Sequence, residues 1–398
     1  MNTHLRSFVL VTCSLSLLGV VACGESEEPG ADYDPELLAS YRAAIPSEDV
    51  MRATAPDGMG VAGQGLRAQA LVGAPAVFPA SAQPIATGVN EAIGNIVRTM
   101  KTIVATPPTV YNSAEGEFLW GPYPNEDGAG FVAAFIKENE PDSGEDFAYS
   151  YALLRLPSRD LADVTPVIWG GSNPDPEGRE DFGSGVTLWD FEANRTFEDA
   201  NNPNHGALER GRFAAVYARE MDGDAQVTWV VSAFRGFADQ ENADGPTVDL
   251  DYFHGEYLGA EHSFRFLDYA GQLDITDGDD DPTTEGNSAL EDMTVRMVFI
   301  DRGQGRAEVT ASGGDIAATP NVESASVAEC WDDALAQTWI GMATYDGDGV
   351  MLASNQEGDE QQCGVFAGGL EPLGIPTLAD IDPALRAGLD DVARNGVQ

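Results

Sequence analysis

Between Phe118 and Thr310, short apolar runs alternate with turn residues along most of the chain. The runs are rich in aromatic and β-branched residues, and Gly, Asp, Asn and Pro separate them. Segments of this composition, bounded by turn residues, are typical of β-strands. The predicted strands are Phe131–Ile136, Tyr149–Leu156, Val186–Phe191, Phe213–Arg219, Val227–Phe234, Val248–Tyr252, Ser263–Leu267 and Thr294–Ile300.

Several of these strands alternate between apolar and polar residues, which predicts one buried face and one wet face. In one strand Val248 and Leu250 alternate with Asp249 and Asp251. Strands that follow one another through short turns favour an antiparallel up-and-down meander. The predicted fold class is therefore mainly β (α+β), with the meander curled into a barrel or half-barrel. Acidic residues on both strand faces speak against a barrel that spans an outer membrane.

One long amphipathic helix is predicted over 85–105, and two short helices are predicted near the ends of the chain. Apolar residues recur through 85–105 at helical spacing, and Pro107 with Pro108 ends the pattern. So broad an apolar face needs cover, and we expect the helix to pack on the sheet. Asp382 and Pro383 open a C-terminal helix over 383–394, and Pro35–Ile45 is a further short helix.

These elements divide the chain into a signal peptide, a tether and a single β-rich domain. Residues 1–22 are predicted to be a signal peptide, and 23–83 a lipidated tether and low-complexity linker that includes the short helix. Residues 84–398 are predicted to form the domain, with Cys330–Tyr345 and Met351–Phe366 joined by a disulfide at its end.

The N-terminal segment predicts export and lipid attachment. Arg6 precedes the apolar run Phe8–Val21, and the segment has no acidic residue, as in secretory signals. Its last residues, Val20–Gly24, resemble the bacterial lipobox, and in that family the cysteine, here Cys23, becomes the acylated N-terminus. The alternative is an ordinary signal peptide with a chance cysteine. The resemblance implies a cell-envelope location, on the periplasmic or surface face of the outer membrane, with membrane contact through the lipid.

Two cysteines, Cys330 and Cys363, remain once Cys13 leaves with the signal and Cys23 carries lipid. An isolated pair in an oxidising envelope is best interpreted as a disulfide. The alternative is a metal site, but no histidine lies near either cysteine in the sequence and a structural site needs four ligands.

Charge excludes one class of partner. The chain has 66 acidic residues against 21 basic ones, for a formal net charge of −45. Such a surface repels nucleic-acid phosphates, so we expect no nucleic-acid binding. It also repels anionic lipid headgroups, so membrane contact must come from the lipid.

The sequence holds no motif that predicts an enzyme, a cofactor or a metal. The acidic run Asp277–Asp281 does not fit the EF-hand, because Pro282 and Ser288 stand where Gly and Glu are required. The pattern at Gly58–Gly63 matches a dinucleotide fingerprint but follows no predicted strand. The histidines outside the signal peptide are His205, His254 and His262, and none has ligand spacing.

Four short segments resemble acidic envelope lipoproteins of myxobacteria-like Gram-negative bacteria. These segments are Asp181–Gly185, Gly303–Ala307, Thr310–Asp315 and Glu329–Asp332. The resemblance covers the second half of the chain. It implies a β-rich envelope lipoprotein and carries over no catalytic residue.

Two functions fit these observations. The first is a non-enzymatic binding or carrier lipoprotein whose curved sheet holds an apolar ligand or a partner, because aromatic-rich strands lie beside a long apolar helix. The second is a structural or interaction protein of the cell surface that fills its core with its own side chains and holds no ligand.

Overall fold

A computed structural model of the chain shows one antiparallel sheet of fifteen strands that follow each other in sequence order. The strands are β1 (Val110–Asn112), β2 (Glu117–Pro124), β3 (Phe131–Glu138), β4 (Tyr149–Leu156), β5 (Thr165–Pro174), β6 (Gly183–Asp190), β7 (Arg210–Asp222), β8 (Ala225–Ala238), β9 (Val248–Leu258), β10 (Ser263–Leu273), β11 (Glu291–Ile300), β12 (Gly305–Gly313), β13 (Ser324–Trp331), β14 (Gln337–Tyr345) and β15 (Met351–Gly358). The helices are α1 (Pro35–Ala43), α2 (Glu48–Met51), α3 (Val77–Ala105), α4 (Phe191–Asn201), α5 (Gly314–Ala318) and α6 (Pro383–Asn395).

The structure describes residues 33–396, apart from the segments 57–71, 141–146, 241–244 and 274–290, residues 301 and 302, and positions 127, 176, 180, 239, 246 and 261. The lipidation residue Cys23, the glycine pattern at Gly58–Gly63 and the acidic run Asp277–Asp281 lie outside the described residues.

The predicted antiparallel meander is confirmed, and the sheet is open. Every strand pairs with its neighbours in the sequence, while β1 and β15 occupy the two ends of the strand order. Of the two predicted forms, the closed barrel is therefore wrong for the strands that the structure describes. After Thr310, β13, β14 and β15 continue the same antiparallel ladder, with a register shift in the β13–β14 pairing and another in the β14–β15 pairing.

One face of the sheet, here the first face, packs against α1, α2 and α3. Ile93, Ile96 and Met100 of α3 are almost fully buried in one apolar cluster with first-face residues such as Phe213 and Val295. Burying an aliphatic side chain of this size stabilises a fold by roughly 1.5–3 kcal/mol. The apolar stripe of the helix therefore covers a sheet face that would otherwise be exposed to water.

Helix α3 begins at Val77, eight residues before the predicted start at Ile85. The proline at position 84 and the alanine-rich sequence before it predicted a linker. Ala76 makes no capping hydrogen bond at the start of the helix. The carboxylate of Glu329 on β13 instead accepts hydrogen bonds from the backbone N–H groups of Val77 (2.9 and 3.0 Å) and Phe78 (3.0 Å). A distant acid thus caps the helix and suits its positive end.

The opposite face, the second face, is crossed by the C-terminal segment. The predicted C-terminal helix is present as α6 and packs on β7 and β8. Leu385 and Leu389 are buried there, and Asp390 accepts a hydrogen bond of 2.6 Å from Arg235 on β8. Before α6, the 3₁₀ segment Glu360–Phe366 packs on β12, β13 and β14, and the carbonyl oxygen of Ile375 accepts a hydrogen bond from Arg296 on β11.

Candidate functional site

The second face of strands β11–β15 carries a groove of about 920 Å³, which we call the C-terminal groove. Residues of five adjacent strands line it, and alternate residues such as Arg306, Glu308 and Thr310 face it. Val309 lies between them and packs in the apolar cluster of the first face. The lining residues are Thr294, Arg296, Arg306, Glu308, Val309, Thr310, Ser326, Val327, Ala328, Trp339, Gly341, Met342, Ala343, Ser354, Asn355 and Gln356. Five strands about 4.8 Å apart span roughly 19 Å, so the groove runs across the sheet.

The floor of the groove is low because the strand register aligns small residues. One row of paired positions from β11 to β15 is Thr294, Thr310, Ser326, Ala343 and Ser354. The neighbouring row is Arg296, Glu308, Ala328, Gly341 and Gln356. Directly paired residues on adjacent strands share a face, so both rows face the groove. The short side chains of these rows on β13 and β14 leave the depression, and hydroxyl groups make it polar.

Gly341 shapes one end of the floor, because the ring of Trp339 occupies the space where a side chain would be. A Cβ atom at position 341 would lie 2.8 Å from Cζ2 of Trp339. That separation is shorter than a van der Waals contact between carbons. Any larger residue at 341 would therefore have to displace a buried indole.

Arg306 forms the charged end of the groove. Its guanidinium is buried and donates to Glu308 Oε1 (2.8 Å) and Glu360 Oε1 (2.9 Å). It also lies 5.0 Å from the centroid of the Trp339 ring. Two carboxylates and an aromatic face thus compensate one buried cation. Because Glu360 belongs to the C-terminal segment, this ion pair attaches that segment to the sheet.

Two donors in the groove wall have no acceptor among the described residues. They are Nε1 of Trp339, whose side chain is only 6% exposed, and Nε of Arg296. Arg296 does use Nη2, which donates to the carbonyl oxygen of Ile375 at 2.9 Å. A buried donor without an acceptor costs about 1–3 kcal/mol, so most buried donors in proteins have a partner. Neither atom is accessible to solvent, so both donors lie beneath the surface of the groove.

Asp268 on β10 lies directly opposite Arg296 in the strand register. Burial raises the pKa of Asp268 to about 7, while the charge of Arg296 and backbone N–H groups of Leu378 and Met297 act in the opposite direction. One of its oxygens, Oδ1, has no hydrogen-bond partner among the described residues. The charge of the Asp268 carboxyl, next to Arg296 in the groove wall, therefore changes near neutral pH.

The two predicted disulfide cysteines lie beside the groove. Cys330 on β13 and Cys363 in the 3₁₀ segment Glu360–Phe366 are at disulfide-bonding distance, with their Cα atoms 5.6 Å apart. Both are fully buried. The pair fixes the start of the C-terminal segment against the sheet, next to Arg306.

The groove opens at β15, the last strand of the sheet. All eight residues of β15 are exposed, and Ser354, Asn355 and Gln356 among them line the groove. The exposed apolar residues Met351 and Leu352 lie at the start of the strand. The groove is thus continuous with a strand edge that pairs with no other described strand.

The structure does not bring the three histidines together. Nε2 of His254 lies 3.0 Å from the carbonyl oxygen of Met51, and burial lowers the pKa of this imidazole to about 4. His205 contacts Asp199 on the surface, and a hydrogen bond with that carboxylate raises its pKa. In the part of the chain that the structure describes, no three acidic, histidine or cysteine side chains form a metal-binding group.

Sequence reasoning missed every residue of the groove. Arg306, Glu308 and Thr310 do alternate with apolar residues along β12, which indicates one polar face. That signal resembles the one from any solvated strand. What makes a groove is the pairing of this strand with its neighbours, and the register is not visible in the sequence.

No family model, curated protein or solved structure matches this chain. Within the described residues, no helix has both the length and the apolar character needed to cross a membrane. The chemistry of the groove and the pattern at the N-terminus are therefore the two observations that bear on function.

Proposed function

We propose that this protein is a lipid-anchored, non-enzymatic binding protein of a bacterial cell envelope, and that it holds a partner in the C-terminal groove. The anchor would be the acylated Cys23. The groove carries the proposal, because it is an open depression of about 920 Å³ lined by hydroxyl, amide and guanidinium groups together with small residues. A structural protein that holds no ligand remains the alternative.

The sequence predicted that the curved sheet holds an apolar ligand or a partner, and it did not place the site on either face. Side chains of α3 pack against the first face of the sheet. We infer a meander curled as a half-barrel around α3, with its binding surface on the other side. The groove mixes hydroxyl, amide and guanidinium groups with small residues, which suits a peptide-like partner better than an acyl chain.

The ionisable groups of the groove serve its structure. Arg306 is held by two carboxylates, and Ser326 Oγ lies 3.2 Å from the hydroxyl of Tyr345. A nucleophile needs a neighbouring base to be activated, and the described contacts of Ser326 include none. These contacts support binding, and we assign no catalytic residue.

Photo-crosslinking in intact cells tests the proposal. A small photo-crosslinking residue with an aliphatic diazirine side chain at Ser326, on the floor of the groove, should give a discrete crosslinked product. The same residue at Asp224, in the exposed turn between β7 and β8, should give none. Ala328→Trp, which fills the floor, should abolish the Ser326 product. If the products at Ser326 and Asp224 are the same, or if Ala328→Trp changes nothing, the groove is not a binding site.

Mass spectrometry of lipids extracted from the purified protein separates the kinds of ligand. A stoichiometric lipid that is lost with Ala328→Trp would show that the groove carries an apolar ligand instead of a protein partner. A preparation without bound lipid, together with the Ser326 crosslink, supports the protein partner.

A further inference from the structure

Among the described strands, β15 has a neighbour on one side only, and this edge points to a mode of binding that the groove alone does not specify. We propose that β15 accepts an extended segment of a partner protein as a sixteenth strand, and that this segment is uncharged in its middle and basic at both ends. The proposal rests on the proposed function, since it states how the partner of the groove is held.

The two edges of the sheet differ. The first edge strand, β1, has three residues, whereas β15 has eight, all of them exposed. Natural sheets protect long edges with Lys, Pro, bulges or covering segments, because unpaired backbone groups attract another strand. Met351–Gly358 contains neither Lys nor Pro. Its ladder with β14 is unbroken from Ala353 to Gly358, and a register shift lies at the start of the strand, between Met351 and Ala353. No described residue pairs with the other edge of this segment, so its backbone groups are available to another strand.

An added strand would lie beside the open end of the groove. Ser354 and Gln356 of β15 both line the groove and belong to its two floor rows. Successive side chains of a strand point to opposite faces, so every second side chain of an added strand would extend this floor. Backbone pairing would supply affinity, and the groove would select the side chains.

Charge identifies the occupant. Met351–Gln356 carries no charge, while Asp346 and Asp348 precede the strand and Glu357 and Asp359 end it. Flanking acids favour a segment with Lys or Arg at its ends, because opposite charges steer and orient association. The exposed Met351 and Leu352 favour aliphatic residues between those ends.

The same charges disfavour a second copy of this chain. Two copies joined by β15 would be related by a two-fold axis, with the strands antiparallel. Each Asp348 would then lie near Asp359 of the other copy. Like charges brought together at an interface oppose association, and the net charge of −45 on each chain adds to the repulsion.

A designed peptide provides the probe. The peptide has six alternating Val and Thr residues with two Lys at each end and a fluorescent label. Its binding to the purified lipidated protein is measured by fluorescence anisotropy. A peptide with Glu at the four end positions, and a peptide with Pro in the middle, should each bind at least tenfold more weakly. Hydrogen exchange should slow within Met351–Gly358 when the Lys peptide binds.

Charge reversal locates the site. Asp348→Lys combined with Glu357→Lys should invert the preference between the Lys and Glu peptides. The matched control, Glu220→Lys combined with Asp224→Lys, makes the same charge change near the β7–β8 turn and should leave the preference unchanged. Equal binding of both peptides, equal effects of both double variants, or unchanged exchange in Met351–Gly358 would each overturn the proposal.

The results also separate this proposal from the proposed function. A crosslink from Ser326 without binding of the Lys peptide would overturn strand addition and leave the groove as the binding site. If neither the Ser326 crosslink nor binding of the Lys peptide is observed, strand addition and the groove as a binding site are both wrong. Analytical ultracentrifugation of the protein without peptide completes the test. If the protein is a dimer and Leu352→Lys makes it a monomer, the edge of β15 pairs with a second copy of the chain and the proposal is wrong.

Discussion

Replacing the buried Asp268 by Asn should stabilise the protein at alkaline pH. Asp268 is 4% exposed, and burial raises its pKa from 3.8 to about 7. In the unfolded chain the carboxyl returns to its ordinary pKa. Between about pH 4 and pH 7 the folded protein therefore binds a proton that the unfolded protein has released. The free energy of unfolding must then decrease as the pH rises through this window.

The pKa values set the size of the effect. Each pH unit inside the window changes the free energy of unfolding by at most about 1.4 kcal/mol for one proton. A shift from 3.8 to about 7 covers roughly three units, so the total is on the order of 4 kcal/mol. Asparagine has nearly the same shape and stays neutral. We therefore expect Asp268→Asn to exceed the wild type by about 2–4 kcal/mol at pH 8 and to match it near pH 4.

His254 changes stability in the opposite direction. Burial lowers its pKa from 6.5 to about 4, so the unfolded chain takes up a proton first as the pH falls. Its contribution is present above pH 6.5 and is lost as the pH falls toward 4. Because wild type and Asp268→Asn both contain His254, the difference between them isolates the aspartate.

Urea unfolding followed by tryptophan fluorescence, at four pH values from 5 to 8, measures this difference. Asp292→Asn is the control, since it removes a carboxylate from an exposed position on β11. The carboxylate of Asp292 accepts a hydrogen bond of 3.1 Å from the side chain of Gln272. The control should shift all values equally or not at all. If Asp268→Asn is less stable than the wild type at every pH, or if the difference does not grow from pH 5 to pH 8, the burial argument is wrong.

Three further changes test the anchor, the disulfide and the core. Cys23→Ala should block processing or release the protein from membranes, and a variant that matures and sediments with membranes normally would contradict lipidation. Non-reducing peptide mapping should recover Cys330 linked to Cys363, and two free thiols would contradict the disulfide. Cys363→Ala should lower stability by roughly 3–4 kcal/mol, measured by urea unfolding. Ile96→Ala should cost about 2–5 kcal/mol in the same assay, and a change below 1 kcal/mol would show that α3 is peripheral.

The strand pattern could be predicted from the sequence because alternation records which side of a strand is buried. Tyr149–Leu156 has the same limits in the prediction and in the structure. Thr165–Pro174 was missed, because Pro166 and the paired glycines Gly170 and Gly171 suggest a loop. In the fold, the ring of Tyr151 fills the space above Gly170, where a Cβ would lie 2.2 Å from its Cζ atom. A tertiary contact therefore decides that this segment is a strand.

The long helix shows the same limit at its N-terminus. Its apolar stripe was predicted from Ile85 onward, since residues such as Ile93, Ile96 and Met100 recur at helical spacing. Its true start depends on Glu329, a residue 252 positions away that accepts hydrogen bonds from the first turn. No local signal can reveal a cap supplied by a distant strand.

The groove was beyond prediction for a further reason, and that reason bears on how it works. A floor of small residues forms only where the register places Thr310, Ser326 and Ser354 in one row, and their sequence separations are unequal. Such a row ends wherever the sheet ends. A closed barrel would have no end, whereas this meander stops at β15 and leaves backbone donors and acceptors beside the groove. The open edge and the groove are thus two consequences of one feature, an antiparallel sheet whose last strand has no neighbour on one side among the described residues.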